Sequence, residues 1–258
     1  MTATLPELLS IERIDRDLYR APAENGERGL AYGGLIAAQA LAAAGDSVDP
    51  ERLPHSLHGY FLRGGDGTRP TVLRVDRDRD GRSFSGRRVV VLQDGEVIFS
   101  MSASFQVPRP GDERQLAPAP AAARPDELEP HTLWLTLSAH LDARLPGQPF
   151  ENAALPTRLW LRTRDKLADE PLVHACALTY MSDVSNGLAG LSAGPFSGGT
   201  SLDHAMWFHH QFRADEWVLM DLVPSRVASG RGLYTGSFHT ADGMLGATLA
   251  QESLVRLS

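Results

Sequence analysis

Gly33-Gly34-Leu35-Ile36-Ala37-Ala38-Gln39-Ala40-Leu41-Ala42-Ala43-Ala44 decides how the rest of the chain is read. Alanine and leucine head the helix propensity scale, and Gly45-Asp46 supplies a stop signal, so the stretch predicts one helix. Strand-like segments follow it: His55–Arg63, Thr71–Val75, Ser83–Leu92 and Glu96–Val107. The last alternates, with Val97, Phe99, Met101, Ala103 and Phe105 on one face and Ile98, Ser100, Ser102 and Ser104 on the other. Gln93-Asp94-Gly95 between the last two segments is a tight hairpin signal. A helix followed by an antiparallel sheet buries its apolar surface by lying against one sheet face.

The second half repeats the pattern. Leu172–Tyr180 and Ser182–Leu191 precede Asp203–Phe212, Trp217–Val223, Gly232–His239 and Gly243–Val255, with Ala241-Asp242-Gly243 as another hairpin turn. Asp94 and Asp242 stand 148 positions apart, and the same shift lays Gly33 on Met181, so that two helix starts would coincide. Identities are few, which makes this a repeat of pattern. Between the halves, Val107–Pro130 carries too many prolines for helix or central strand and reads as a linker crossing the surface. Thr132–Leu145 then predicts a short helix. The expected organisation is a unit at 1–107, a linker with a short helix at 108–150, and a unit at 151–258. Pairing the two sheets edge to edge would remove exposed strand edges.

The chain has 258 residues, enough for one large domain or two small ones with a core that needs no staples. A net charge of −7 argues against a general nucleic-acid binder, while leaving local arginines free to hold a small anion. The single cysteine, Cys176, cannot form an internal disulfide and sits in an apolar run, as a buried thiol does. The N-terminal residues show no secretory signal pattern, and no apolar run approaches a membrane span. A cytoplasmic protein is the expectation.

Three motifs are decoys on this reading. Gly190-Leu-Ser192-Ala-Gly194 matches the serine-hydrolase elbow, which needs a strand before the serine and a helix after it. Here Gly187 precedes it and Pro195, Gly198 and Gly199 follow, as in a loop. Asp126 and His131 have hydratase spacing but lie in the proline-rich linker. His204, His209 and His210 lack a second cluster to complete a metal site, so they read as polar residues in a wet sheet. No dinucleotide or Walker A loop is present. No metal or cofactor is expected.

The chain resembles the acyl-CoA thioesterase II (TesB-like) family of double hot-dog proteins. The resemblance is carried by Gly33-Gly34 before the helix, His55-Ser-Leu-His58-Gly-Tyr-Phe-Leu-Arg63, and Asp80-Gly-Arg-Ser83-Phe84-Ser85-Gly-Arg87-Arg88-Val89. It continues through Met101-Ser-Ala-Ser-Phe-Gln106, Ser201-Leu-Asp203-His204-Ala-Met206-Trp207-Phe208-His209 and Ala250-Gln251-Glu252. The fold implied is α+β, a tandem hot-dog of two antiparallel sheets, each wrapped on a central helix. The activity implied is hydrolysis of an acyl-CoA, of medium or long chain, to free acid and CoA. An oriented water attacks, and no covalent intermediate forms.

The resemblance places the polar trio that orients this water at Asp183, Ser201 and Gln251. Taken one by one, Asp183 could cap a helix, Ser201 could start a strand, and Gln251 could be a satisfied polar group in a sheet. The 148-residue shift puts Leu35, Leu53 and Ala103 at these positions, predicting one site per chain, assembled by the second unit. Gly33 and Gly34 are candidate oxyanion donors. Arg63, Arg87 and Arg88 are candidates for the CoA phosphates, and His58 is a further candidate substrate contact. A homodimer or higher homo-oligomer is expected, without nucleic acid or membrane span. The alternative is a non-catalytic acyl-CoA or acyl-carrier binding protein. Two departures from the family pattern stand out: a shortened Phe150–Pro171 stretch, and His209-His210-Gln211-Phe212 in place of a common Arg-Pro.

Overall fold

The computed structural model describes residues 3–24, 29–133, 137–151, 153–191 and 199–255. Its elements run α1 (Leu5–Leu9), β1 (Glu12–Asp15), β2 (Leu18–Ala21), α2 (Gly33–Asp46), β3 (Leu53–Phe61), β4 (Thr71–Asp80), β5 (Phe84–Gln93) and β6 (Glu96–Gln106). After the proline-rich crossing come β7 (Pro130–His131), α3 (Leu137–His140), β8 (Leu141–Arg144), β9 (Arg158–Thr163), α4 (Pro171–Met181), β10 (Asp203–Phe208), β11 (Val218–Ala228), β12 (Arg231–Thr240) and β13 (Leu245–Leu254). The described strands form one sheet in the order β1-β2-β4-β5-β6-β3-β10-β13-β12-β11-β9-β8-β7. The neighbour pattern β2-β4-β5-β6-β3 recurs as β9-β11-β12-β13-β10, so the two expected sheets join edge to edge. The seam is β3 against β10, antiparallel from Asp203↔Tyr60 to Trp207↔Ser56.

Helix α2 is buried at every position from Gly34 to Gly45 except Ala42. A helix apolar all round belongs in a core, and here strands β3–β6 cover one side while α1 and α4 cover the other. The two central helices run antiparallel and very close. A Cβ on Gly34 would lie 2.5 Å from the Tyr180 carbonyl oxygen, and one on Gly45 would overlap Leu172 at the other end of α4.

The alternation read in β6 holds, since Phe99, Met101, Ala103 and Phe105 are all buried. Ile98, on the opposite face, is buried too, because the loop at Gly64–Gly65 folds back over it. In the hairpin before β6, Asp94 (φ 50°) and Gly95 (φ 81°) both take the left-handed conformation that a two-residue type I′ turn requires.

Several expectations need correction. Among the described residues of the helix read at Thr132–Leu145, Leu137–His140 are helical and Leu141–Arg144 is strand β8, because pairing with β9 overrides its local propensity. Strand β11 does not stop at Val223. It passes Pro224 at a register shift, the kind of site where a missing N–H is tolerated, and ends at an unforeseen turn, Ser229 (φ 52°) and Gly230 (φ 73°). Nor do two helix starts coincide, because Met181 ends α4 where Gly33 begins α2. The hairpins obey the 148-residue shift and the helices do not. No helix among the described residues is long and apolar enough to cross a membrane.

The contact between α2 and α4 is testable. Alanine for glycine in a helix gains up to about 1 kcal/mol of propensity, but a methyl forced against a backbone carbonyl costs about 1–3 kcal/mol. Gly34→Ala is therefore expected to lower the unfolding midpoint in urea or heat. Gly111→Ala, where nothing lies within 4 Å, leaves it in place; equal midpoints for the two variants would refute the packing argument.

Candidate functional site

A cavity of about 650 Å³ opens where the N-terminus of α2 meets the end of α4 and the approach to β10. Its apolar wall includes Ile36, Phe61, Ile98, Phe99, Leu137 and Leu254. Asp183 and Ser201 line its polar end, beside Tyr32, Gly33 and Glu24.

Three elements bring the trio together. Asp183 follows directly after α4, Ser201 sits in an isolated bridge to Ser253 before β10, and Gln251 points inward from β13. The Gln251 amide donates from Nε2 to Asp183 Oδ1 at 3.1 Å and to Ser201 Oγ at 2.7 Å. Asp183 also accepts from the Ser201 hydroxyl and from the Gly34 backbone N–H. Burial raises the Asp183 pKa above the ordinary carboxylate value; neighbouring His204 and these hydrogen bonds oppose the rise.

Glycine at 33 is a spatial requirement, since a Cβ there would lie 2.7 Å from Asp183 Oδ2 and 3.0 Å from the Phe61 ring. The N-terminus of α2, whose N-cap Tyr32 makes no side-chain cap, thus faces the carboxylate with the positive end of its dipole. The trio does come from the second half of the chain. The Gly34 N–H and part of the cavity wall come from the first, which corrects the expectation of a site assembled by the second unit.

Of two further buried groups at the site, one was not singled out in the sequence and one was misread. Glu24 accepts the Tyr32 backbone N–H at 3.0 Å, and burial raises its pKa while that bond opposes the rise. His204 is not in a wet sheet; it is 1% exposed and points inward from β10. Its Nδ1 meets Gln251 Oε1, and its Nε2 lies 2.7 Å from Ser182 Oγ. Its place in Leu202-Asp203-His204-Ala205-Met206 was a usable signal, because a polar residue on the same face as Met206 has to find a partner inside.

The substrate-contact candidates separate. Gly33, Gly34 and Arg63 are at the cavity, Gly34 through its N–H to Asp183. Arg63 is half exposed at the rim, donating to Val97 O at 2.9 Å and pairing with Glu96. Arg87 is misassigned to an anionic ligand. It is 1% exposed, and its guanidinium is occupied by Ser47 Oγ (2.8 Å), Asp80 Oδ1 (2.7 Å) and backbone carbonyls. Arg88 and His58 lie on the outer sheet face, Arg88 paired with Asp76 and His58 edge-on to Trp207. In each case strand alternation sends the side chain away from the cavity or closes it in the core.

Of the decoys, Ser192 and Gly194 lie outside the described residues. Asp126 stands in a 3-10 turn beside Arg124, and His131 in β7, both remote from the trio in the fold. His210 lies beyond the end of β10, and His209 bonds Thr248 Oγ1. Burial raises the Cys176 thiol pKa, as for an inert thiol. No group of three or more His, Cys, Asp or Glu among the described residues is placed to hold a metal ion.

Two helices in the concave faces of one joined antiparallel sheet, with a carboxylate, hydroxyl and amide converging at their ends, define a double hot-dog protein. The family model for an acyl-CoA thioesterase N-terminal domain matches residues 21–106, and that for the C-terminal domain matches residues 110–255. Acyl-coenzyme A thioesterase 8 of Homo sapiens is 32% identical over 282 residues, covering 97% of this chain and 88% of its own. Acyl-CoA thioesterase 2 of Haemophilus influenzae is 31% identical over 281 residues, covering 98% and 97%. The crystal structure of acyl-CoA thioesterase II TesB2 from Mycobacterium marinum superposes with a TM-score of 0.83 at 40% identity, covering 98% and 97%. The chain belongs to the acyl-CoA thioesterase family.

The reassignment of Arg87 has a measurable consequence. Arg87→Met removes the buried donor shared by Ser47 Oγ, Asp80 and the carbonyls of Ser47 and Arg79, and is expected to cost about 1–3 kcal/mol of stability. Arg88→Ala, on the exposed outer face, should stay within about 0.5 kcal/mol of wild type. Denaturant unfolding of both variants decides it, and a stable Arg87→Met would show that the buried network contributes nothing.

Proposed function

We propose that the protein hydrolyses acyl-CoA thioesters with Asp183 as general base. The observation that carries this is the hydrogen bonding of Asp183, which holds the carboxylate in place and leaves one acceptor site over. A carboxylate offers about four lone-pair sites, and Gln251, Ser201 and Gly34 take three of them. The fourth serves a water, whose proton Asp183 takes as the oxygen attacks the thioester carbon. Both N–H groups of Gln251 are engaged, one by Asp183 and one by Ser201, so its role is to hold base and hydroxyl in register. With the Gly34 N–H engaged by Asp183 and those of Leu35 and Ile36 by the Tyr32 carbonyl, the Gly33 backbone N–H is the donor at the N-terminal turn of α2 suited to the developing oxyanion. The leaving thiolate is stable enough, with a thiol pKa near 8.5, for the reaction to need no covalent enzyme intermediate.

The apolar part of the cavity accepts the acyl chain. Its volume falls in the range of pockets that enclose drug-sized ligands, which suits medium to long chains. Arg63 at the rim is the cation suited to a CoA phosphate.

The test is thiol release from acyl-CoAs of graded length, followed with a thiol reagent. Wild type should turn over the medium and long members. Asp183→Asn, with its fold intact, should lose at least about 100-fold in kcat. Retained turnover in that variant would remove Asp183 as base, and tight binding without turnover in wild type would favour a binding protein. The pH profile gives a separate check. A general base works only when deprotonated, so kcat should fall as pH drops through the Asp183 pKa. Because burial raises that pKa, the acid limb should lie above the ordinary aspartate value and vanish in Asp183→Asn.

A further inference from the structure

We infer that His204 is a positioning residue for this reaction: in its Nδ1–H form it fixes the orientation of the Gln251 amide and thereby sets Asp183 and Ser201. This deepens the hydrolase reading above and rests on it.

Donor and acceptor counting carries the inference. Asp183 acting as a base is ionised and can only accept, so the side of Gln251 that faces it must be the NH₂ group. That turns Gln251 Oε1, an obligate acceptor, onto His204 Nδ1. The proton must then sit on Nδ1. At the other end of the ring, Nε2 faces the hydroxyl of Ser182, whose one proton goes either to Nε2 or to the Thr179 carbonyl at 2.7 Å; in the second case Nε2 carries a proton as well, and Nδ1 is protonated in both. Both ring nitrogens are therefore engaged, and the imidazole cannot rotate without losing two buried hydrogen bonds. Were the Gln251 amide to flip, its oxygen would face both the Asp183 carboxylate and the Ser201 oxygen. His204 is the group in contact with Oε1 that makes this flip unfavourable.

The first half of the chain shows that packing alone does not call for such a pair. The inward pairs of β3 and β6 are Leu57↔Ala103, Gly59↔Met101 and Phe61↔Phe99, all apolar. In β10 and β13 they are Met206↔Leu249 and Phe208↔Ala247, and the register carried on one step from Ala205↔Ala250 sets His204 opposite Gln251. Both are 1% exposed. Burying two polar side chains where the matching strands bury hydrocarbon is unfavourable unless they satisfy each other.

Two substitutions separate positioning from support of the fold. His204→Leu removes both bonds. His204→Asn restores an N–H donor near the Nδ1 position but is too short to reach Ser182. We expect His204→Leu to lower kcat by about 10- to 100-fold, the usual range for a partner that orients a reacting group, with KM unchanged. His204→Asn should recover most of that kcat while sharing the loss of thermal stability. In a Gln251→Ala background, His204→Leu should change kcat less than about twofold, because the residue it acts through is gone. Independently of turnover, ¹⁵N NMR of the wild-type imidazole should show the proton on Nδ1. Wild-type kcat in folded His204→Leu, additive effects in the double variant, or a proton on Nε2 alone would each overturn the inference. A wild type that hydrolyses no acyl-CoA would instead sink the proposed activity. The NMR result would then decide the orientation of Gln251 by itself, and would also decide it should His204→Leu not fold.

Discussion

The close antiparallel contact of α2 and α4 is the constraint on which the site depends. The Tyr180 carbonyl lies against Gly34, where no side chain fits, and accepts the Tyr32 hydroxyl at 2.7 Å. One turn of chain later Asp183 leaves α4 and meets the N-terminus of α2. Because the helices touch through backbone, the carboxylate is near enough to take the Gly34 N–H and to fill the space over Gly33. A side chain at either glycine would separate a carboxylate contributed by one half of the chain from a helix end contributed by the other.

That placement also sets the electrostatics. Removing a carboxylate from water is expensive and raises its pKa. Here three hydrogen bonds, the positive end of a helix and a neighbouring imidazole act against that cost. The balance leaves a raised pKa, the direction the proposed role of Asp183 requires. Polar groups at this depth are tolerated because they form a closed set, in which Gln251 is bonded at both its nitrogen and its oxygen.

How much of this could be read in the sequence follows from the range of the forces involved. Where a local rule dominates, as in the alternation of β6, the Asp94-Gly95 turn or the alanine-rich α2, the reading and the structure agree. Leu141–Arg144 is decided by pairing with β9, and the passage of β11 through Pro224 by pairing with β12 across the turn at Ser229-Gly230, so local propensity points the wrong way. Asp183, Ser201 and Gln251 were found by resemblance, since nothing in their separate neighbourhoods shows that they converge. Arg87 and His204 were misread for the same reason. A basic side chain on a strand looks like surface until the partners that allow its burial are known, and those partners, Ser47 and Ser182, lie at the ends of helices.

Those two misread residues correspond to each other. In each half, a serine caps the C-terminus of the central helix and returns its hydroxyl to the carbonyl three residues back: Ser47 to Ala44 and Ser182 to Thr179, both at 2.7 Å. In each half a buried basic side chain from the sheet then meets that hydroxyl, Arg87 Nε at 2.8 Å and His204 Nε2 at 2.7 Å. Tying the end of the central helix to the sheet is thus common to both halves. Arg87 directs its remaining donors to Asp80 and to backbone carbonyls, which closes that end as a structural plug. Histidine carries its second nitrogen on the far side of the ring, where it reaches Gln251. A device that stabilises the fold in the first half is, in the second, extended by one hydrogen bond to Gln251 and through it to Asp183 and Ser201, and so the two halves can share an architecture while only one carries the polar trio.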